Sequence, residues 1–108
     1  MTAADRKPAF QDLESPAFLA RSLADENRLR ILLCVRDGQK SVSRIVEEVN
    51  LSQPLVSHHL KELRRSLLVR VERRGPFVYY ELADTRIVDI LECLARLAAD
   101  LLHSRRRF

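Results

Sequence analysis

The sequence predicts a mainly α-helical protein of about five helices, with one small β-hairpin between the fourth and the last helix. Three observations lead to this fold class. Apolar residues recur at helical spacing in five segments, a short turn separates the third segment from the fourth, and two short segments then alternate apolar and polar residues. Only 2 glycines and 4 prolines occur in 108 residues, so few residues remain for long loops.

Two helices are predicted before residue 39. The first covers about residues 11–24, where the apolar side chains are Leu13, Phe18, Leu19 and Leu23. The second lies in "ENRLRILLCVRDG", is apolar on nearly all sides from Ile31 to Val35, and stops at Gly38. We therefore expect the second helix to be short and buried on several sides.

Residues 41–66 predict a helix, a tight turn and another helix. Ser41 is a natural N-cap, and the apolar residues that follow it are spaced i, i+3, i+4 and i+7. They are Val42, Ile45, Val46 and Val49. Asn50 and Leu51 form the turn, Ser52 caps the next helix, and Pro54 lies in its first turn, where a missing N–H costs nothing.

The fourth helix has two contrasting faces. Val56, Leu60 and Leu63 fall on one side, which we expect to be core. The opposite side is polar and cationic, and it carries Ser57, His58, Lys61 and Arg65. His59 lies at the margin of the apolar side, so it is expected to pack in the fold while His58 faces outward.

A predicted hairpin follows, with its turn at "RGPF". Apolar residues alternate with polar ones along both strands, at Val69 and Val71 in the first and at Val78, Tyr80 and Leu82 in the second. Arg73 and Arg74 lie at its tip. A helix-turn-helix followed by a basic hairpin is a winged helix, whose second helix enters the major groove of DNA while the wing approaches the backbone or minor groove.

The net charge and the motifs limit the possible functions. A net charge of +4 favours an acidic partner, with double-stranded DNA as the first candidate. No glycine-rich phosphate loop, nucleophile signature or metal-binding CxxC or HExxH pattern occurs, so we do not expect an enzyme. Without a signal peptide or an apolar run of about 18 residues, we expect a cytoplasmic protein without a membrane partner. The predicted organisation is a flexible tail at 1–10, a winged-helix DNA-binding and dimerisation domain at 11–103, and a basic tail at 104–108.

Together these residues resemble the ArsR/SmtB family of small dimeric winged-helix repressors, many of which respond to metals or metalloids. The resemblance covers about residues 20–102, and its specific parts are "LSQPLVSHHLKEL" and "GPFVYYEL". It implies that Ser52, Gln53, Ser57 and His58 lie where the recognition helix meets DNA. Ser66 and Leu67 stand where the family usually has a small residue and a glycine, so the glycine that ends this helix is missing.

The last segment, "TRIVDILECLARLAADLLH", carries two adjacent apolar seams. One seam consists of Ile87, Ile90, Leu94, Leu97 and Leu101, and the other of Val88, Leu91, Ala95, Ala98 and Leu102. So wide a stripe exceeds what a small domain needs to cover, which favours a homodimer through the last helix. The resemblance implies that the first helix joins this interface. The alternative is a terminal helix that is buried in its own monomer.

Metal ligands of the kind found in the family are not expected. The resemblance puts Asp84 and Asp100 at the two carboxylate positions of a site on the last helix, but Arg86 and Leu97 where imidazoles belong. Two carboxylates without imidazole or thiolate bind zinc poorly. Asp84 is better interpreted as a helix cap. The family's second site, a Cys-x-Cys-type pair near the third helix, is also absent, because "KSVSRI" stands there.

Two thiols remain as candidate sensors. Cys93 shares the polar face of the last helix with Asp89, Glu92, Arg96, Asp100 and His103, whereas Cys34 lies within "ILLCV" and is expected to be a core residue. A solvated flank is the simpler interpretation of that polar face. If an inducer such as a soft metal, a metalloid or a thiol oxidant acts, we expect it to act through Cys93 before Cys34.

The leading hypothesis is a sequence-specific transcriptional regulator, a repressor that binds an imperfect palindrome as a homodimer and is released by an inducer. Gln53, Ser57 and His58 would approach base edges, and Lys61, Arg65, Arg73 and Arg74 would contact phosphates. The alternative is a winged-helix protein-interaction module without sequence-specific DNA binding. A thiol redox enzyme that uses both cysteines would need an activating motif, which is missing.

Overall fold

The computed structural model describes residues 11–105, which form five helices and a three-stranded antiparallel sheet. The elements in chain order are α1 (Glu14–Ser22), α2 (Glu26–Cys34), β1 (Lys40–Ser41), α3 (Val42–Val49), α4 (Gln53–Arg65), β2 (Val69–Arg74), β3 (Phe77–Leu82) and α5 (Arg86–Arg105). The predicted mainly α-helical winged helix-turn-helix is confirmed.

Several predicted boundaries need correction. α1 is shorter than the predicted 11–24, and α2 ends at Cys34 instead of continuing to Gly38. α5 extends through Arg105, so Ser104 and Arg105 belong to a helix and not to the predicted tail at 104–108. The predicted tail at 1–10 and the rest of the C-terminal one, residues 106–108, lie outside the described residues.

The helix-turn-helix forms as its caps predict. Ser41 Oγ accepts the backbone N–H of Arg44 at 3.2 Å, and Ser52 Oγ accepts that of Leu55 at 3.3 Å. Each cap satisfies one of the N–H groups that the first turn of a helix leaves unpaired. Asn50, with φ of 55°, turns the chain through the left-handed region between α3 and α4. Asparagine tolerates this conformation better than most residues.

The core lies where α2, α3 and α4 meet, and the sheet and the start of α5 close it. Its buried apolar residues are Ile31, Leu32, Val35, Ile45, Val56, Leu60, Leu63, Leu68, Val69, Leu82, Ile87 and Leu91. The three residues that the sequence places on the inner face of α4 are fully buried. This packing fixes α4, so its opposite face is presented in one orientation.

The sheet contains a strand that the sequence did not predict. β1 pairs with β3 through Lys40 with Tyr80 and Ser41 with Tyr79, and β3 also pairs with β2 over its whole length. The strand order is β1-β3-β2, so the hairpin is anchored to the chain segment just before α3. Within residues 11–105, no helix has both the length and the apolar character required to cross a membrane.

The C-terminus of α4 adopts a left-handed cap although glycine is missing. Leu67 has φ of 67°; its N–H donates to the Arg64 carbonyl at 3.0 Å, and the Leu68 N–H donates to the Leu63 carbonyl at 2.9 Å. This pair of bonds is the Schellman arrangement. The Leu67 side chain is 75% exposed, so it gains little packing in exchange for an unfavourable backbone conformation.

Candidate nucleic-acid interface

The outer face of α4 is a continuous polar surface. Gln53, Ser57, His58, Lys61 and Arg65 are all exposed, and Ser52 is exposed at the helix N-cap. Arg65 Nη1 lies 3.5 Å from Glu62 Oε1, whereas Lys61 forms no ion pair within residues 11–105. The structure therefore brings together the six residues that the sequence assigned to this helix as DNA contacts.

The two adjacent histidines occupy different environments. His58 is exposed, while His59 is 5% exposed and accepts a hydrogen bond at Nδ1 from Arg28 Nε at 3.3 Å. Burial is the main cause that lowers the pKa of His59; the Asp25 carboxylate opposes this change, and nearby Arg28 and His58 add smaller lowering effects. His59 thus joins α4 to the start of α2, which confirms the predicted packing position.

The wing carries the two predicted arginines in different settings. Arg73 is exposed and has no ion-pair partner in the part of the chain that the structure describes. The Arg74 guanidinium lies 4.0 Å from the centre of the Tyr79 ring, and its Nη2 donates to Gln39 Oε1 at 2.7 Å. Gln39 also donates to Glu72. Sequence reasoning missed this role of Gln39, because an isolated glutamine in a loop gives no periodic signal.

A second surface, on α5 and α1, is apolar. Ile90, Leu94, Leu97 and Leu101 of the predicted seam are each about half exposed, as is Leu102 of the neighbouring seam. We call these five residues the apolar stripe. Ile87, which was predicted for the same interface, is instead buried in the core of its own chain. An open groove of about 260 Å³ lies between the helices and is lined by Pro16, Leu19, Ala20, Leu23, Leu68, Ile87 and Ile90.

The Asp84 carboxylate is paired with Arg86. Its Oδ1 accepts the Arg86 backbone N–H at 2.8 Å, and its Oδ2 accepts Arg86 Nη2 at 2.8 Å. The hydrogen bonds from Arg86 lower the pKa of the Asp84 carboxyl to about 2. Asp84 therefore serves as a helix-capping residue. Among residues 11–105, no three His, Cys, Asp or Glu side chains of one chain are grouped so that they could hold a metal ion.

Cys34 packs against the core as expected, but it is not enclosed there. Its thiol is half-buried and lines an open cleft of about 480 Å³ beside Lys40 and Glu48. Lys40 Nζ lies 3.8 Å from Cys34 Sγ, and Glu48 Oε2 lies 3.7 Å from it. Burial is the main cause that raises the pKa of this thiol, and the neighbouring Lys40 charge opposes it. Cys93 is exposed, as expected.

Comparisons with known proteins agree with this geometry. Residues 25–71 match the sequence profile of "Bacterial regulatory protein, arsR family". The transcriptional repressor SmtB of Mycobacterium tuberculosis is 37% identical over 94 residues, which are 86% of this chain and 70% of that protein. The transcriptional activator HlyU of Vibrio cholerae is 37% identical over 79 residues, 73% of either chain.

Solved structures share the fold. The structure of HlyU from Vibrio cholerae superimposes with a TM-score of 0.69 at 35% identity and covers 77% of this chain and 90% of that one. A domain from Mycobacterium bovis, described as a homodimeric winged helix-turn-helix DNA-binding domain, gives a TM-score of 0.74 at 23% identity, with 95% of each chain covered. The chain belongs to the arsR family of bacterial regulatory proteins and is a winged helix-turn-helix transcriptional regulator, not an enzyme.

Proposed function

We propose that the chain is a transcriptional repressor that binds an imperfect palindromic operator as a homodimer in the cytoplasm and is released by an inducer. The observation that carries this proposal is the exposed polar face of α4, which the buried face of the same helix holds in a fixed orientation. A helix presented in this way can enter the major groove. Relatives are named as repressors, such as SmtB, and as an activator, HlyU, at the same 37% identity; repression is proposed because the SmtB match covers more of this chain, 86% against 73%.

The proposed contacts divide by chemistry. Gln53, Ser57 and His58 can donate and accept hydrogen bonds at base edges, and Ser52 lies at the N-terminus of α4, where backbone N–H groups suit a phosphate. Lys61, Arg65, Arg73 and Arg74 supply positive charge for phosphates. The exposed positions of Lys61 and Arg73 on α4 and the wing support this assignment.

The homodimer is proposed from the apolar stripe and the adjoining groove of α1. Five half-exposed large apolar residues on one helix form a patch of the kind that marks a protein interface. A two-fold contact between two such helices would give the dimer two symmetry-related α4 helices, as binding to a palindrome requires. The Mycobacterium bovis domain of the same fold is described as homodimeric.

The test is binding to the promoter of the chain's own operon and to a random duplex at several salt concentrations. Lys61→Ala is expected to weaken binding to both duplexes and to reduce the salt slope by about one unit, because one phosphate contact is lost. Gln53→Ala and Ser57→Ala are each expected to lose about 1–3 kcal/mol of discrimination while sparing the random duplex. The matched control is Arg96→Ala, which removes an exposed arginine from α5.

Two results would contradict this assignment. If wild-type protein binds the promoter and the random duplex equally well, with a shallow salt dependence, the chain is a protein-interaction module instead. If Arg96→Ala flattens the salt slope as much as Lys61→Ala does, DNA contacts a different face.

Release by an inducer is proposed to involve a thiol and not zinc. Zinc in modest excess is expected neither to bind tightly at Asp84 and Asp100 nor to release the operator, because Arg86 already neutralises Asp84. Arsenite or a thiol oxidant is expected to act through exposed Cys93 before half-buried Cys34. Iodoacetamide alkylation rates and operator release by arsenite, compared in Cys93→Ser and Cys34→Ser, test this order. Zinc-dependent release of the operator that is abolished by Asp100→Ala would contradict the proposal that zinc is not the inducer.

A further inference from the structure

We propose that Gln39 is a positioning residue that holds the wing in place for DNA. This inference rests on the proposed function, since it concerns how the wing meets the duplex. Gln39 is half-buried in the loop between α2 and β1, and its side-chain amide faces two residues of β2. The amide nitrogen donates to the Glu72 carboxylate, and the amide oxygen accepts from Arg74 Nη2 at 2.7 Å. One uncharged side chain thus satisfies an acidic and a basic partner together.

The Arg74 guanidinium extends this connection to the other strand of the hairpin. It stacks at 4.0 Å over the ring of Tyr79, which lies on β3 and is the pairing partner of both Ser41 and Glu72. A cation over an aromatic face is attracted by the negative potential of the ring. Gln39, Glu72, Arg74 and Tyr79, which we call the wing brace, therefore link the α2–β1 loop to β2 and β3.

The hairpin needs such support because its backbone pairing with the rest of the protein is short. β1 contributes only two paired positions, Lys40 with Tyr80 and Ser41 with Tyr79. Beyond them Arg73, Arg74 and Phe77 extend as a two-stranded ribbon with exposed side chains. Two-stranded hairpins are marginally stable in water. A wing that is already ordered loses less conformational entropy when it binds DNA, and so it binds more tightly.

The absence of charge on Gln39 separates positioning from direct phosphate contact. Gln39→Ala is expected to weaken operator binding about three- to ten-fold, the range of one or two net hydrogen bonds, without changing the salt slope. Arg74→Ala removes a cation as well as the brace, so both affinity and slope should fall. Arg74→Lys keeps the charge but cannot form the same stacked, forked contacts, and it should resemble Gln39→Ala.

The decisive variant exchanges the two partners, Gln39→Glu together with Glu72→Gln. Net charge is unchanged, the new carboxylate can accept from Arg74, and the new amide can donate to that carboxylate. Operator affinity within about two-fold of wild type is expected. If this exchange binds no better than Gln39→Ala, or if Gln39→Ala binds as tightly as wild type, the proposal is overturned.

A second measurement keeps the brace testable when no DNA is present. In free protein, Gln39→Ala should speed amide hydrogen exchange between residues 72 and 79 while leaving exchange in α4 and the thermal midpoint close to wild type. Unchanged exchange in the wing would overturn the brace. If wild type fails to discriminate its operator while the variant exchanges faster in the wing, only the proposed function fails.

Discussion

The helices α4 and α5 are both amphipathic, but they satisfy their apolar faces in different ways. α4 buries Val56, His59, Leu60 and Leu63 among its 13 residues, and of its large apolar side chains only Leu55 remains exposed. α5 buries only Ile87 and Leu91 among its 20 residues and leaves the apolar stripe open. Periodicity thus predicts that a helix has an apolar face, but not whether its own chain or a partner covers that face.

This difference assigns the two helices to different partners. The fold already covers the inner face of α4, so only its outer face is free. That outer face is polar and suits a charged, hydrated partner such as DNA. α5 has an exposed polar face as well, but its uncovered apolar stripe suits a second copy of the same chain. Changes in the apolar stripe of α5 should therefore alter assembly, and changes on the inner side of α4 should alter folding.

The largest expected effect is from Leu97→Asp, which places an unpaired carboxylate in the apolar stripe. Burying that charge in the proposed dimer should weaken association at least about 100-fold, because an unpaired buried charge costs about 3 kcal/mol or more. Sedimentation velocity at micromolar protein measures it. Arg96→Asp places a carboxylate on the polar face of the same helix and is the control. If Leu97→Asp still sediments as a full dimer, the stripe is not the interface.

His59→Ala is expected to lower the free energy of unfolding by about 2 kcal/mol, since it leaves a gap and removes the acceptor of the Arg28 guanidinium. His58→Ala is the neighbouring control and should change stability by less than about 0.5 kcal/mol, because that side chain is exposed. Urea unfolding measures both. Equal destabilisation would remove the distinction between the two faces of α4.

Stability should also depend on pH through His59. Its folded-state pKa lies below the ordinary value of 6.5, so the unfolded chain takes up this proton first as the pH falls. The contribution of His59 to the free energy of unfolding is therefore fully present above about pH 6.5. It declines as the pH falls from about 6.5 towards the folded-state pKa. His58→Ala should keep this decline, and His59→Ala should flatten it. Asp84, with a pKa of about 2, loses its contribution only at lower pH. If stability declines below about pH 6.5 in His59→Ala as it does in wild type, another group causes the decline.

Leu67→Gly should have the smallest effect, an increase of about 0.5–1 kcal/mol in stability. Relief of the left-handed backbone, about 1–2 kcal/mol, is partly offset by the greater backbone entropy of glycine. Asn50→Gly is the control and should gain less, because asparagine tolerates this conformation. Leu67 also lines a groove with Leu19 and Ile90. Loss of dimer affinity in Leu67→Gly would place its side chain in the interface with α5.

Local signals account for the parts of the fold that the sequence predicted well. The caps at Ser41 and Ser52, the turn at Asn50 and the buried triad of α4 all depend on residues within one or two turns of each other. β1 could not be predicted, because two residues have no periodicity and Lys40 forms a strand only by pairing with Tyr80. The same holds for contacts between distant residues, such as Arg28 with His59 and Gln39 with Arg74.

The hydrogen bond between Ser22 and Ser66 has a consequence for operator spacing. These buried hydroxyls, 2.6 Å apart, connect the last residue of α1 to the C-cap residue of α4. In the proposed homodimer, no flexible linker would then separate the dimer surface from the DNA-reading helix. One added base pair between half-sites moves the second half-site by about 3.4 Å and rotates it by about 36°. Whole protomers must tilt to follow it, so the loss of affinity along a series of operators with altered central spacing measures the stiffness of this junction.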